Sequence, residues 1–243
     1  MAIDERGGQA LNPGQITVDR RFRGPPDSGN GGYVAGLVAG ALGGSDCVVT
    51  LHLPPPLDVA MDIRPAADGV ALFDGPRQVA SARPGKAELE VPEPPTLEEA
   101  RAAEQRYVGY QRHNFPGCFV CGPERAEGDG LRIFPGVLDR GGVAASWTPG
   151  ADLADADGAI GTEFLWSALD CPGYFAVEGK AGVALLGRMA ATIERTVTAG
   201  EPLIVTGWSI ASDGRKHHVG TAVHDRLGRL VARARSTWIS PAG

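Results

Sequence analysis

Two stretches of the chain carry the same pattern of apolar and polar positions. Residues 70–83 read Val-Ala-Leu-Phe-Asp-Gly-Pro-Arg-Gln-Val-Ala-Ser-Ala-Arg, and residues 219–235 read Val-Gly-Thr-Ala-Val-His-Asp-Arg-Leu-Gly-Arg-Leu-Val-Ala-Arg-Ala-Arg. Each is an apolar-rich strand, a turn built on Asp and Gly, and a second strand reading Val-Ala-x-Ala-Arg. This pattern predicts a β-hairpin in both places. Upstream of each hairpin the apolar content predicts two more strands, over 47–53 and 59–64 in the first half and over 190–197 and 203–210 in the second. Further upstream again lies one apolar helical segment per half, at 31–42 and 162–169. The order of a helix followed by antiparallel strands thus occurs twice, which predicts an α+β fold. Residues 31–42 contain no charged side chain, as expected of a helix that a curled sheet covers on nearly every side.

Between the halves the pattern changes. Residues 85–117 begin rich in Pro and Glu and then predict a helix over 97–107, with Thr96 and Glu99 at capping-box spacing. This reads as a linker, dividing the chain into 1–84, 85–117 and 118–243. The length of 243 residues suits two domains of ordinary size, and 43% hydrophobic residues can supply their cores. A net charge of −6 with no basic stripe argues against nucleic acid as a partner. No apolar run approaches the roughly 20 residues that span a bilayer. The first six residues contain no secretory apolar core, so the expectation is a cytoplasmic protein whose four cysteines are reduced.

Cys118-Phe-Val-Cys121 reads as half of a tetrahedral zinc site, as a redox pair, or as a tight Gly-Pro turn that simply buries two small thiols. Cys171, His113, His217 and His218 are the other candidate ligands, but none comes with a second paired spacing, so no metal is assigned from the sequence. The same residues, continued by Gly122-Pro123 and by Gly130-Leu131, resemble the opening of the hotdog-fold acyl-CoA thioesterases, whose phenylacetyl-CoA branch has the pattern N-x-x-G-x-x-H-G-G-x-x-x-x-x-x-D. The resemblance covers residues 118–239. It implies two fused hotdog domains, each an antiparallel sheet wrapped around a central helix.

Against that family pattern, the second half keeps Gly158 and Asp170 but has Asp155, Gly161 and Thr162-Glu163 where the family has Asn, His and the Gly pair. The first half keeps the pair as Gly31-Gly32, with Asn30 in place of His and Ala39 in place of the acid. The resemblance therefore implies one composite site: Gly31 with Gly32 polarising a thioester carbonyl, Asp170 as base or nucleophile, and Asn30 orienting the substrate or capping the helix. Ser167 and Tyr33 are further candidates for the pocket, although Ser167 could bond its own backbone and Tyr33 could simply pack. Tyr174 has the same two readings as Tyr33, and Glu163 is either a second carboxylate for the site or an acid serving the first turn of its helix. Arg215 and Lys216 are candidates for the phosphates of coenzyme A, or ordinary charges on a hairpin. No cofactor is implied beyond the coenzyme A that arrives with an acyl-CoA substrate. The chain could act as a monomer of two pseudo-subunits or as a homodimer. A non-catalytic protein that binds acyl-CoA or lipid is the alternative, because the second half has lost most of the pattern.

Overall fold

In the computed structural model, residues 14–242 are described. The first six residues, read above for a secretory signal, lie outside them. A single antiparallel sheet of eleven strands runs through the molecule in the order β1-β3-β4-β5-β2-β8-β11-β10-β9-β7-β6. One side of it holds β1 (Gln15–Thr17), β2 (Asp46–Leu51), β3 (Ala60–Ala66), β4 (Gly69–Asp74) and β5 (Arg77–Pro84). The other side holds β6 (Gly136–Val137), β7 (Val143–Trp147), β8 (Leu185–Ile193), β9 (Leu203–Asp213), β10 (Lys216–Asp225) and β11 (Leu230–Ile239). The two sides meet where β2 pairs with β8, from Asp46 opposite Thr192 to Thr50 opposite Arg188. Outward from that seam the order is β2, β5, β4, β3, β1 on one side and β8, β11, β10, β9, β7 on the other. Each strand of the first series has its counterpart in the second by position in the chain. The repeated hairpins are β4–β5 and β10–β11, as their turns predicted.

Helix α1 (Gly31–Gly40) follows the N-cap Asn30, whose side chain accepts the Tyr33 N–H. Val34, Ala35, Val38 and Ala39 on it are fully buried, so the helix is covered on nearly every side. Helix α3 (Thr162–Ala168) crosses α1 at very short range because two glycines face it. A Cβ on Gly32 would lie 2.5 Å from Asp170 Cβ and 2.7 Å from the Trp166 carbonyl, and one on Gly36 would lie 2.5 Å from Glu163 Cα. Glycine at these two turns of the helix allows the two backbones to touch.

Helix α4 (Cys171–Phe175) continues from α3 after a break and lies on β9 and β10, with α5 (Glu178–Ala181) after it. Its seat on the sheet is close: a Cβ on Gly207 of β9 would meet the Pro172 carbonyl at 2.3 Å. The segment 85–117 hugs the body of the protein. Ala87 bonds Thr192 on β8 and Arg233 on the neighbouring β11. Helix α2 (Leu97–Glu104), with both halves of its capping box formed, buries Ala100 and Ala103 against Ala144 and Ile204 on the outer face of β7 and β9. The helix ends three residues earlier than its pattern predicted, and the chain turns there to bury Tyr107. No helix among the described residues is long and apolar enough to cross a membrane.

Candidate active site

Asp170 occupies the break between α3 and α4. Pro172 has no N–H to give the carbonyl four residues back, so the helix cannot run through this point. The chain takes φ −81° and ψ −79° at Asp170 before helical geometry resumes. Thr221 on β10 donates its hydroxyl to the Leu169 carbonyl at 2.8 Å, which fixes the break against the sheet.

The Asp170 carboxylate is 1% exposed and points at the start of α1, 140 residues away in the chain. Its Oδ2 accepts the Gly32 N–H at 2.9 Å and the Asn30 Nδ2 amide at 3.0 Å. Asn30 therefore does two things at once. Its Oδ1 caps α1 by accepting the Tyr33 N–H at 2.9 Å, and its Nδ2 holds the carboxylate. The other carboxylate oxygen, Oδ1, has no hydrogen-bond partner among the described residues. Burial pushes the Asp170 carboxyl up to about 7, against the Gly32 and Asn30 hydrogen bonds, which pull it down. A carboxylate with that midpoint can both hold and release a proton near neutral pH.

Asn30, Gly31 and Asp170 share the wall of one cavity of about 360 Å³, within the size range of small-ligand pockets. Its apolar side includes Leu51, Leu186 and Trp238. The Gly31 N–H, the first of α1, has no hydrogen-bond partner among the described residues. A Cβ on Gly31 would come within 3.0 Å of Leu186 Cβ, so a larger residue there would press on this wall.

The other residues singled out in the sequence fall in different places. Gly32, expected to polarise a carbonyl together with Gly31, instead gives its N–H to Asp170, which leaves Gly31 as the amide that faces the cavity. Tyr33 is not on the cavity wall. Its ring stacks on Phe22 at 4.1 Å and packs with Phe119 and Phe164, because the third residue of the helix turns toward the aromatic core. Ser167 is fully buried and donates to the Glu163 carbonyl at 2.7 Å, the local backbone bond open to any helical serine. Arg215 is exposed at the rim of the cavity and bonds the Ser240 carbonyl, whereas Lys216, the next residue along the strand, is not part of the wall. Tyr174 does line the cavity, with its hydroxyl tied to Asn114 and to the Gly182 carbonyl. Leu186 and Trp238 carried no local signal, since nothing in a strand's own pattern says which cavity its inner face will meet. Cys118, Cys121 and Cys171 also line this cavity.

Replacing Asn30 by Ala removes both of its functions. The lost cap is expected to cost about 1 kcal/mol of stability. Without its amide donor the carboxyl rises further, so the midpoint of any activity dependent on Asp170 is expected to move to higher pH. A pH–rate profile of Asn30→Ala beside the parent checks this, and an unmoved midpoint would exclude the assigned contact.

The chain has the hotdog fold found in thioesterase structures. It is similar over nearly its whole length to a putative thioesterase II from Thermobifida fusca, with a TM-score of 0.61 at 15% identity and 94% of this chain and 92% of that one covered. A putative thioesterase from Novosphingobium aromaticivorans gives a TM-score of 0.61 at 12% identity, covering 96% of this chain and 98% of that one. The tesB protein of Mycobacterium avium subsp. paratuberculosis does the same at 12% identity, covering 96% and 95%. No protein-family model matches the chain, and no curated protein matches it.

Proposed function

We propose that the chain is two hotdog units joined in one polypeptide and that it hydrolyses acyl-CoA thioesters at a single composite site. Two things support the duplication: the matching outward order of the first five strands on either side of the β2–β8 seam, and a likeness that extends along whole chains of similar length. The activity rests on one observation. A buried carboxylate from the second half, Asp170, is held by Asn30 and the Gly32 amide from the first, on the wall of a mostly apolar cavity. That the similar proteins of Thermobifida fusca and Novosphingobium aromaticivorans are described as thioesterases agrees with it.

In this reading the thioester carbonyl lies against the start of α1. The unpaired Gly31 N–H and the positive end of the helix face the oxygen where negative charge develops. Asp170 takes a proton from a water, and the resulting hydroxide attacks the carbonyl carbon. The tetrahedral intermediate collapses by breaking the C–S bond, and the leaving thiolate takes up the proton. The products are a carboxylic acid and free coenzyme A. Asn30 and Gly32 keep the carboxylate in place through their hydrogen bonds to its Oδ2. Arg215 at the rim is positioned for a phosphate of the coenzyme. No resident cofactor is needed for these steps, and a cytoplasmic setting would supply the substrate.

The decisive experiment is a panel of acyl-CoA substrates of increasing chain length, with release of free thiol followed by a chromogenic reagent. Turnover of at least one substrate is expected. Saturable binding of acyl-CoA without thiol release would overturn the enzymatic reading in favour of a binding protein.

A further inference from the structure

Three thiols that the proposed chemistry does not use converge beside it. We infer that Cys118, Cys121 and Cys171 form a binding site for one thiophilic metal ion, zinc(II), set into the cavity wall. The three Sγ atoms all lie within 4.8 Å of one another, and Cys118 and Cys171 are 3.8 Å apart. Zinc–thiolate bonds of about 2.3 Å in a tetrahedron place their sulfurs about 3.8 Å apart. The sulfurs therefore need little movement to close on an ion.

The local backbone is shaped for thiolates. Cys118-Phe-Val-Cys121-Gly122 folds back on itself, with the Gly122 N–H bonded to the Cys118 carbonyl at 2.9 Å. A Cβ on Gly122 would lie 2.5 Å from that carbonyl oxygen, so only glycine closes the turn this tightly. Asn30 adds its amide, 3.8 Å from the Cys118 sulfur and 3.9 Å from that of Cys171. Such donors stabilise sulfur that carries negative charge, and neutral thiols have little use for them.

Three soft donors select zinc(II) or copper(I) over the hard divalent cations. Three thiolates leave a net charge of −1 around zinc(II) and −2 around copper(I). In a buried site next to Asp170 the smaller net charge is the less costly, which favours zinc. Because the three cysteines lie on the cavity wall, the fourth position faces the cavity and is open to water or to a ligand there. Binding releases the thiol protons, so affinity falls with acid. Distance along the chain explains why spacing alone assigned no metal. Cys171 stands fifty residues beyond the pair and reaches it only because the break at Asp170 sets it at the start of α4.

The test uses the full chain, purified in reductant and stripped with a chelator, titrated first with cobalt(II) and then with zinc(II). One equivalent of cobalt is expected, with thiolate-to-cobalt charge-transfer absorption and the strong visible bands of tetrahedral coordination, displaced stoichiometrically by zinc. Cys118→Ser and Cys171→Ser are each expected to weaken zinc binding at least about 100-fold, while Cys47→Ser, outside the cluster, leaves it unchanged. Should the cluster variants fail to fold, X-ray absorption on the zinc-loaded parent decides the matter, with three sulfur neighbours at about 2.3 Å expected. Cobalt in octahedral form, less than one equivalent bound, zinc surrounded by nitrogen and oxygen alone, or a folded Cys118→Ser protein that binds as the parent does would each overturn the inference. The readout is metal binding, so it stands or falls independently of thioester hydrolysis.

Discussion

Asp170→Asn is expected to lower the turnover of acyl-CoA substrates by about 10²–10⁴-fold, the usual contribution of a positioned acid or base, while leaving the fold intact. The substitution keeps shape and volume. Its amide oxygen can still accept from Gly32 N–H and Asn30 Nδ2, so the start of α1 remains tethered. What disappears is the ability to take a proton from water. The same variant has a second signature, in stability. The Asp170 carboxyl titrates near 3.8 when unfolded and at about 7 when folded. Folding therefore favours its neutral form: its stabilising contribution is fully present below pH 3.8 and is lost as pH rises to 7. An asparagine does not ionise and escapes this loss. Relative to the parent, Asp170→Asn should show no pH-linked gain at pH 3.5 and a gain on the order of 4 kcal/mol at pH 8. Denaturant unfolding at the two pH values measures it. A variant that is inactive yet shows no growing advantage toward pH 8 would mean that the carboxylate is not held in the low-dielectric setting described. A variant with unchanged turnover would remove Asp170 from the chemistry.

The second large effect is expected at the crossing of α1 and α3. Gly32→Ala places a methyl group 2.5 Å from Asp170 Cβ and 2.7 Å from the Trp166 carbonyl, neither of which can rotate away. The helices must separate, at a cost of about 3 kcal/mol. The separation also carries the Asp170 carboxylate off its donors, and a displacement of about 1 Å is enough to lower turnover roughly 10²-fold. Gly36→Ala meets Glu163 Cα at 2.5 Å, one turn further from the site. It should destabilise by a similar amount with a smaller loss of turnover. Gly40→Ala is the control: its added methyl meets nothing within 4 Å, and alanine in a helix is favoured, so stability should hold or rise slightly. Urea unfolding and kcat for the three variants separate packing from chemistry. If Gly32→Ala and Gly40→Ala proved equally stable, the close crossing would be wrong.

Much of this arrangement was legible along the chain, for a reason that also explains what was not. The β4–β5 and β10–β11 hairpins were readable because a turn and its flanking strands are local, and because the pattern came twice. The strands β1, β6 and β7 were not. β1 and β6 are very short, and Val143-Ala-Ala-Ser-Trp147 of β7 alternates too weakly to stand out. β8 begins five residues before its pattern predicted, because Leu185–Ile193 is set by pairing with β11 on one side and β2 on the other, partners far away in the chain. At the site, Gly31 and Asp170 stood out in the sequence as complementary parts of one family pattern, and the structure brings both to one cavity wall. The tasks within the pair were out of reach. That Gly32 gives its amide to Asp170, while Gly31 keeps its own, depends on how closely two helices cross. That Tyr33 turns away from the cavity depends on Phe22, Phe119 and Phe164, which come from three separate segments. Cys171 illustrates the same limit, since tertiary packing alone brings it to Cys118.

The Asn30 and Gly32 contacts with Asp170 span 140 and 138 positions of one polypeptide. They form when the chain folds, and no encounter between molecules is required. Dilution, which dismantles a site shared between separate subunits by mass action, has no purchase on these bonds. A folded chain therefore holds the Asp170 carboxylate at the start of α1 at any protein concentration.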